Sequence, residues 1–378
     1  MRLAHISDLH IGKRLNDFSL IDDQEYILNQ ILKIVFESNV DGVIIAGDVY
    51  DKSTPSTEAI TLFDSFLVAL AERKIKTFII SGNHDSNERL AFANRLIGAS
   101  GVYISSVFSG TADKITLKDK YGNVNFYLLP FIKPTHVRKL TDNEVETYTD
   151  ALRVAIDSMK IDTSERNVLI THQFVTGASR CDSEEISVGG SDNVDASVMA
   201  EFDYVALGHL HKPQSIESEK IRYSGSPLKY SFSESKDVKS VTVVELNGKK
   251  DLKIDTYPLV PKRDMVEIKG TYAELMERKY YEGTTYGSDY MHVTLTDEED
   301  VCDAVNLLRT VYKNLMKLDY DNQRTRESCE LAALENVENK TPNELFAELY
   351  EKQNNKQMSI EQEKIVNEII SQIWEEEL

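Results

Sequence analysis

The chain has 378 residues, 41% of them apolar, and a formal net charge of −20. That length exceeds one usual hydrophobic core, so two or more domains are expected, and the apolar fraction is that of an ordinary soluble globular protein. No apolar run is long enough to cross a bilayer. Three cysteines at 181, 302 and 329, with no CxxC spacing, point to a reduced cytoplasm, and the acidic excess argues against a generally basic nucleic-acid-binding surface.

The N-terminus enters an apolar run at once, so a strand is expected over 2–7 with no signal peptide before it; Asp8-Leu9-His10 follows directly. Ile27, Ile31, Ile34 and Val35 then recur at helical spacing. A strand from Val43 to Ala46 ends in Gly47-Asp48. The next helix opens at Ser53-Thr54-Pro55, with Pro55 expected at the first helical position after a Thr cap, and its stripe is Ile60, Phe63, Leu67 and Leu70. A strand from Thr77 to Ile80 ends in Gly82-Asn83-His84-Asp85, and a third helix carries Leu90, Phe92, Ala93, Leu96 and Ile97.

After Gly101 the texture changes to shorter strands, expected at 102–105, 114–117 and 125–129, with a helix over 143–160. Strands follow at 167–171, leading into Thr171-His172, and at 204–207, leading into Gly208-His209-Leu210-His211. Others are expected at 220–224, 238–246 and 252–257. Alternating β/α followed by strand-rich sequence predicts a sandwich of two sheets with helices outside. Pro258 and Pro261 mark a boundary. Beyond it, strands at 265–268 and 291–295 with helices at 272–279 and 298–310 form a small α+β unit. Thr341-Pro342-Asn343-Glu344 reads as a capped helix start before Leu345, Phe346, Leu349 and Tyr350. A polar break at 353–357 precedes a last helix with Ile365, Val366, Ile369, Ile370, Ile373 and Trp374 on one side. The expected division is therefore 1–260, 261–335 and 336–378.

Five strand ends that each finish in a polar, metal-binding residue type suggest one site assembled from five loops. Asp8, His10, Asp48, Asn83, His172, His209 and His211 make a mixed oxygen and nitrogen set without sulfur, suited to Mn²⁺, Fe²⁺ or Zn²⁺. Asp8 and His10, two apart, project to the same side of an extended segment, as do His209 and His211. Asp48 has two carboxylate oxygens and can bridge two ions, and a pair roughly 3.5–4 Å apart clamps a phosphoryl oxygen for hydrolysis. His84 is left to protonate the leaving oxygen or stabilise its charge. Asp51 is expected to accept from the other ring nitrogen of His84 and fix its tautomer. His5, His136 and His292 read as structural.

The order DxH, GDxxD, GNHD, a lone His, then GHxH resembles the signature of the calcineurin-like metallophosphoesterase superfamily. Within it, Ile6-Ser7-Asp8-Leu9-His10-Ile11-Gly12, Gly82-Asn83-His84-Asp85-Ser86, Gly208-His209-Leu210-His211-Lys212-Pro213 and Tyr223-Ser224-Gly225-Ser226-Pro227 resemble the nuclease branch, the SbcD-like family. The likeness covers about residues 1–260 by motif and the rest by layout.

That resemblance implies a four-layer β-sandwich core flanked by helices, a small α+β capping domain, and C-terminal helices that dock on a partner. It implies two Mn²⁺ ions, the first held by Asp8, His10 and His211 and the second by Asn83, His172 and His209, with Asp48 shared. It implies a nuclease on DNA double-strand ends, hairpins and single strands, acting as a homodimer with an SbcC-type ABC ATPase that carries a long coiled coil. Lys13, Arg14, Lys52, Arg180 and Lys212 lie in loops beside motif residues and are candidates for the DNA backbone, and Arg89, just after the GNHD loop, is a candidate for substrate phosphate. The acidic total then implies that the partner supplies much of the DNA affinity. The competing reading is a small-substrate phosphodiesterase with the same centre, which needs nothing beyond residue 260. A protein phosphatase is disfavoured because Lys52-Ser53 and GNHD stand where GDxxDRG and GNHE are usual, and a non-enzymatic scaffold because every presumptive ligand is present.

Overall fold

The computed structural model describes residues 1–92, 97–141, 143–184, 192–323, 346–347, 350, 358–359 and 362–367. The chain divides into two compact units. One comprises Met1–Ile268, Met276–Val293 and Asp303–Leu318, the other Lys269–Leu275, Thr294–Cys302 and Asp319–Leu378.

In chain order the main strands of the first unit are β1 (Arg2–Ile6), β2 (Gly42–Ala46), β3 (Lys76–Ile80), β4 (Val102–Ser105), β5 (Asp113–Asp119) and β6 (Gly122–Leu129). They continue with β7 (Arg166–His172), β8 (Tyr204–Gly208), β9 (Gln214–Ile216), β10 (Ser218–Tyr223), β11 (Ser240–Leu246) and β12 (Leu252–Pro258). They form two six-stranded sheets, ordered β12-β11-β1-β2-β3-β4 and β9-β10-β8-β7-β6-β5. Strands β1 to β4 are parallel, with β11 antiparallel to β1 and β12 antiparallel to β11. In the second sheet β6, β7, β8 and β10 are parallel and the edges β5 and β9 antiparallel.

The period-2 alternation of a strand decides which sheet face each residue covers. In β2, Ile44 and Ala46 point inward to a core shared with Phe126, Leu128, Val168, Ile170 and Ala206 of the other sheet. Phe78 of β3 stacks on Phe126 of β6 with ring centroids 4.1 Å apart. Val43 and Ile45 point the other way, against helices α1 (Ile21–Glu37) and α2 (Thr57–Glu72). On the far side, Leu169, Val205 and Leu207 pack against α3 (Tyr148–Ser158) through Ala151, Leu152 and Ala155. The layers therefore run helices, sheet, sheet, helices. Both sheets are covered on both faces, which explains their nearly continuous apolar central strands.

Several local expectations are corrected. Helix α2 starts at Thr57, and its cap is Ser56, whose hydroxyl accepts from Ala59 N at 3.2 Å; Pro55 precedes the cap instead of opening the helix. The buried face of α2 is Ala59, Phe63, Phe66 and Leu70, while Ile60 is exposed. Of the third helix, Asn87–Leu90 and Ile97 are described as helical, with Phe92 exposed and Ala93 and Leu96 outside the described residues.

A three-stranded sheet joins β13 (Met265–Gly270), β14 (Tyr290–Leu295) and β15 (Asn314–Tyr320) in that order. The helix expected over 272–279 is two short ones, Tyr272–Met276 and Arg278–Tyr281, because Glu277 between them is extended at φ −66°, ψ 130°. The helix expected over 298–310 shrinks to Ala304–Arg309, since Asp303 before it is left-handed at φ 55°. Of the two tail helices, residues 346–347, 350 and 362–367 are helical, and Leu345, Leu349, Ile369, Ile370, Ile373 and Trp374 lie outside the described residues. Among the described residues no helix is long and apolar enough to cross a membrane.

Candidate metal centre

Parallel strands end at a common edge, and loops at the carboxyl ends of such strands are where α/β sheets place their sites. Asp8, Asp48 and Asn83 follow β1, β2 and β3; His172 ends β7 and His209 follows β8. The two sheets meet here directly, since His172 Nδ1 lies 2.8 Å from the carbonyl of Ala46 at the end of β2.

The loops are braced by backbone bonds from Asp8 N to Gly47 O, His10 N to Asp48 O and Ile11 N to Val49 O. Asp8, His10, Asp48 and His209 all adopt positive φ, at 53°, 42°, 48° and 103°. Such conformations cost non-glycine residues about 1–3 kcal/mol each and persist where the surroundings over-determine them, often at functional sites. This corrects the extended-chain expectation: Asp8 and His10 converge because both are left-handed.

Glycines let the loops close. A Cβ on Gly82 would meet Asp48 Oδ1 at 2.1 Å, and one on Gly208 would meet the Ala46 carbonyl oxygen at 1.8 Å. Asp85, the last residue of GNHD, is a clamp whose role the motif alone does not disclose. Its Oδ2 accepts from Val49 N at 3.1 Å and Gly82 N at 3.0 Å, and its Oδ1 from Tyr50 N at 2.9 Å, tying the Asp48 loop to the Asn83 loop.

Seven candidate ligands converge. Ligand atoms of Asp8, His10 and His211 lie within 4.8 Å of one another, as do those of His10, Asp48 and His84 and those of Asp8, Asp48 and His172. The Nε2 atoms of His10 and His211 face each other at 3.1 Å. Asn83 Oδ1 is 3.0 Å from both His172 Nε2 and His209 Nδ1. Asp48 Oδ2 sits between the groups, 3.7 Å from His10 Nε2 and 3.3 Å from His172 Nε2.

The donor set fits cations. His172 Nδ1–H donates to Ala46 O, so in the neutral ring the Nε2 lone pair faces two acceptors, Asn83 Oδ1 and Asp48 Oδ2. Acceptor against acceptor is unfavourable in a buried site unless a positive charge lies between them. Burial pushes the His172 pKa down, yet the Asp48 carboxylate prevails and lifts it to about 9. A divalent cation does for these atoms what that extra proton does. Burial, with the Asp48 charge, raises Asp8 to about 7 despite the opposing pull of His172, and burial lowers His209 to about 3. The Asp8 carboxyl and the His172 ring would give up protons in favour of a divalent ion bound here, while the His209 ring is already neutral.

His84 is half-buried at the edge of this cluster, its ring 4.8 Å from that of His10. Its backbone N donates to Asp48 Oδ1 at 3.0 Å. Its Nδ1 lies 3.1 Å from the backbone carbonyl of Asp51, so Asp51 does face His84 but through its main chain. The Asp51 carboxylate is occupied by Lys13 at 2.7 Å.

The basic candidates divide. Lys13 is held by Asp51, Arg180 lies over the Phe174 ring at 3.6 Å with Asp192 at 3.5 Å, and Lys212 faces Asp237 at 3.9 Å. Arg14 is exposed and donates to Asp17 O; Lys52 and Arg89 are exposed. Sequence reasoning also missed Tyr230, whose ring lies beside His10 and His211, and Phe131, which stacks on His209 at 6.4 Å. Neither stands in a ligand motif, so only the fold reveals them.

The model of the calcineurin-like phosphoesterase family matches residues 1–213. A second, described as a type 5 capsule protein repressor C-terminal domain, matches residues 261–354. The SbcD component of the SbcCD nuclease from Staphylococcus epidermidis is 36% identical over 323 residues, 84% of this chain and 85% of that protein. Its counterpart from Staphylococcus saprophyticus is 34% identical over 345 residues, 89% of this chain and 90% of its own. A solved dimetal phosphatase from Danio rerio overlays with a TM-score of 0.44 at 13% identity, covering 69% of this chain and 96% of that one, a likeness too distant to bear on the chemistry.

Proposed function

Because the chain belongs to the calcineurin-like phosphoesterases, with SbcD components of the SbcCD nuclease among its relatives over most of their length, we propose that it is the metal-dependent nuclease subunit of an SbcC–SbcD-type DNA repair complex. The observation that carries the chemistry is the buried carboxylate of Asp48 lying between two groups of ligand atoms. In this reading Asp48 would serve two divalent ions, with Mn²⁺ the expected metal. Asp8, His10 and His211 would hold one; Asn83, His172 and His209 would hold the other. When bound, such ions supply Lewis acidity toward a phosphate and make water a nucleophile at neutral pH.

The chain's own residues do the rest. The Asp51 carbonyl keeps a proton on His84 Nδ1, so the proton that His84 gives to the leaving oxygen of a cleaved phosphodiester sits on Nε2. Exposed Arg14, Lys52 and Arg89 contact the DNA backbone, with Lys13, Arg180 and Lys212 contributing only if their acidic partners release them. The tail from 336 docks on the base of the ATPase's coiled coil, the protein is a cytoplasmic homodimer, and the −20 net charge leaves much of the DNA affinity to that partner.

The test is incubation of the purified chain with linear duplex and hairpin DNA plus Mn²⁺, beside Asp48→Ala and a chelator control. Cleavage that needs both the ion and Asp48 supports the nuclease reading. Turnover of a chromogenic phosphodiester without DNA cleavage, even after the ATPase partner is added, would replace it with a small-substrate phosphodiesterase.

A further inference from the structure

His211 is held at three points by groups outside every motif. Its backbone N donates to Glu184 Oε1 at 2.7 Å. Its carbonyl accepts from the buried ammonium of Lys239 at 2.8 Å. Its ring Nδ1 lies 2.7 Å from the hydroxyl of Ser183, and that hydroxyl lies 2.6 Å from Oε1 of Glu234. Glu234 is fully buried, and its other oxygen pairs with Lys239 at 2.5 Å.

Proton counting gives this arrangement a direction. A serine hydroxyl has one hydrogen, and an ionised carboxylate only accepts. Ser183 therefore donates to Glu234 and accepts from His211, which must carry its proton on Nδ1. The lone pair then sits on Nε2, the atom that faces His10 Nε2 at 3.1 Å. Metal-binding imidazoles are characteristically fixed in this way by a partner on the other nitrogen, which sets tautomer and ring orientation and raises ligand basicity.

We infer that Ser183, backed by Glu234, is a positioning residue that locks His211 in the Nδ1–H tautomer and aims Nε2 as a metal ligand. The inference deepens the metal-centre reading and rests on it. Ser183 is the residue to change, because Ser183→Ala leaves the buried Glu234–Lys239 pair intact, whereas a change at Glu234 strands the Lys239 charge.

The experiment is calorimetric Mn²⁺ titration of the full chain as wild type, Ser183→Ala, Ser183→Thr and His211→Ala. Loss of a ligand's outer partner typically costs about 10–100-fold in metal affinity. That weakening is expected at one ion position in Ser183→Ala, with Ser183→Thr close to wild type; because the buried His211 Nδ1–H loses its acceptor, the metal-free melting temperature of Ser183→Ala falls as well. Wild-type affinity in Ser183→Ala overturns the inference while leaving the metal centre standing. Failure of the wild-type chain itself to take up any divalent ion sinks both. Should Ser183→Ala fold poorly, the ¹⁵N shifts of His211 in the wild-type chain decide alone: an Nδ1–H tautomer supports the lock, and an Nε2–H tautomer refutes it.

Discussion

Asp85→Ala isolates the clamp between the loops that carry Asp48 and Asn83. The carboxylate accepts three backbone N–H groups, from Val49, Gly82 and Tyr50. Val49 and Gly82 are buried, so water cannot replace their acceptor, while Tyr50 is half-exposed and can be solvated. An orphaned buried donor costs about 1–3 kcal/mol, so two predict a loss of about 2–6 kcal/mol. Asp85→Asn should behave differently. With its amide oxygen in place of Oδ2 it keeps both buried donors, and only the Tyr50 N–H loses its partner, about 1 kcal/mol. Burial, aided by the Asp48 charge, already lifts the Asp85 carboxyl to about 6 against the pull of its three N–H donors, so removing that charge is no added loss. Urea unfolding midpoints of the three proteins, with Mn²⁺ affinity measured in parallel, provide the assay. Alanine should lose both stability and metal, and asparagine should retain most of each. An Asp85→Ala loss below about 1 kcal/mol, or an asparagine variant as impaired as the alanine one, would refute the clamp.

Three further outcomes are expected. Gly208→Ala places a Cβ 1.8 Å from the Ala46 carbonyl that holds His172; overpacking of this kind costs about 1–3 kcal/mol, and a variant that melts and binds Mn²⁺ like wild type would contradict the geometry. His84→Ala should keep its metal but lose about 10²-fold or more of phosphodiester turnover, whereas a parallel loss of metal would make His84 a ligand. Arg166, through hydrogen bonds to a carboxylate that is mostly shielded, holds the Asp119 carboxyl well below its usual range. A depressed carboxyl contributes stability above its unfolded value of about 3.9, and that contribution fades as pH falls toward the folded value. Melting temperature should therefore fall more steeply below about pH 4 in wild type than in Asp119→Asn, and equal slopes would show that the pair adds nothing.

Much of this architecture was legible in the chain because its signals are local. Apolar runs such as Val43 to Ala46 specify strands buried on both faces, and the polar residues that end them mark the rim where loops meet. The order of the five motifs therefore determined the fold class and the identities of the candidate ligands. Local pattern also misled where backbone dihedrals decide the outcome. Thr54-Pro55 looked like a helix start, but Ser56 caps α2, and Glu277 and Asp303 break helices that apolar spacing would continue. Only the tertiary structure could bring His10 Nε2 within 3.1 Å of His211 Nε2, 201 residues away, or set Gly208 against the Ala46 carbonyl. The same holds for Ser183, Glu234 and Lys239 behind His211. None of these contacts has a sequence period, because each depends on how strands and loops pack together in three dimensions.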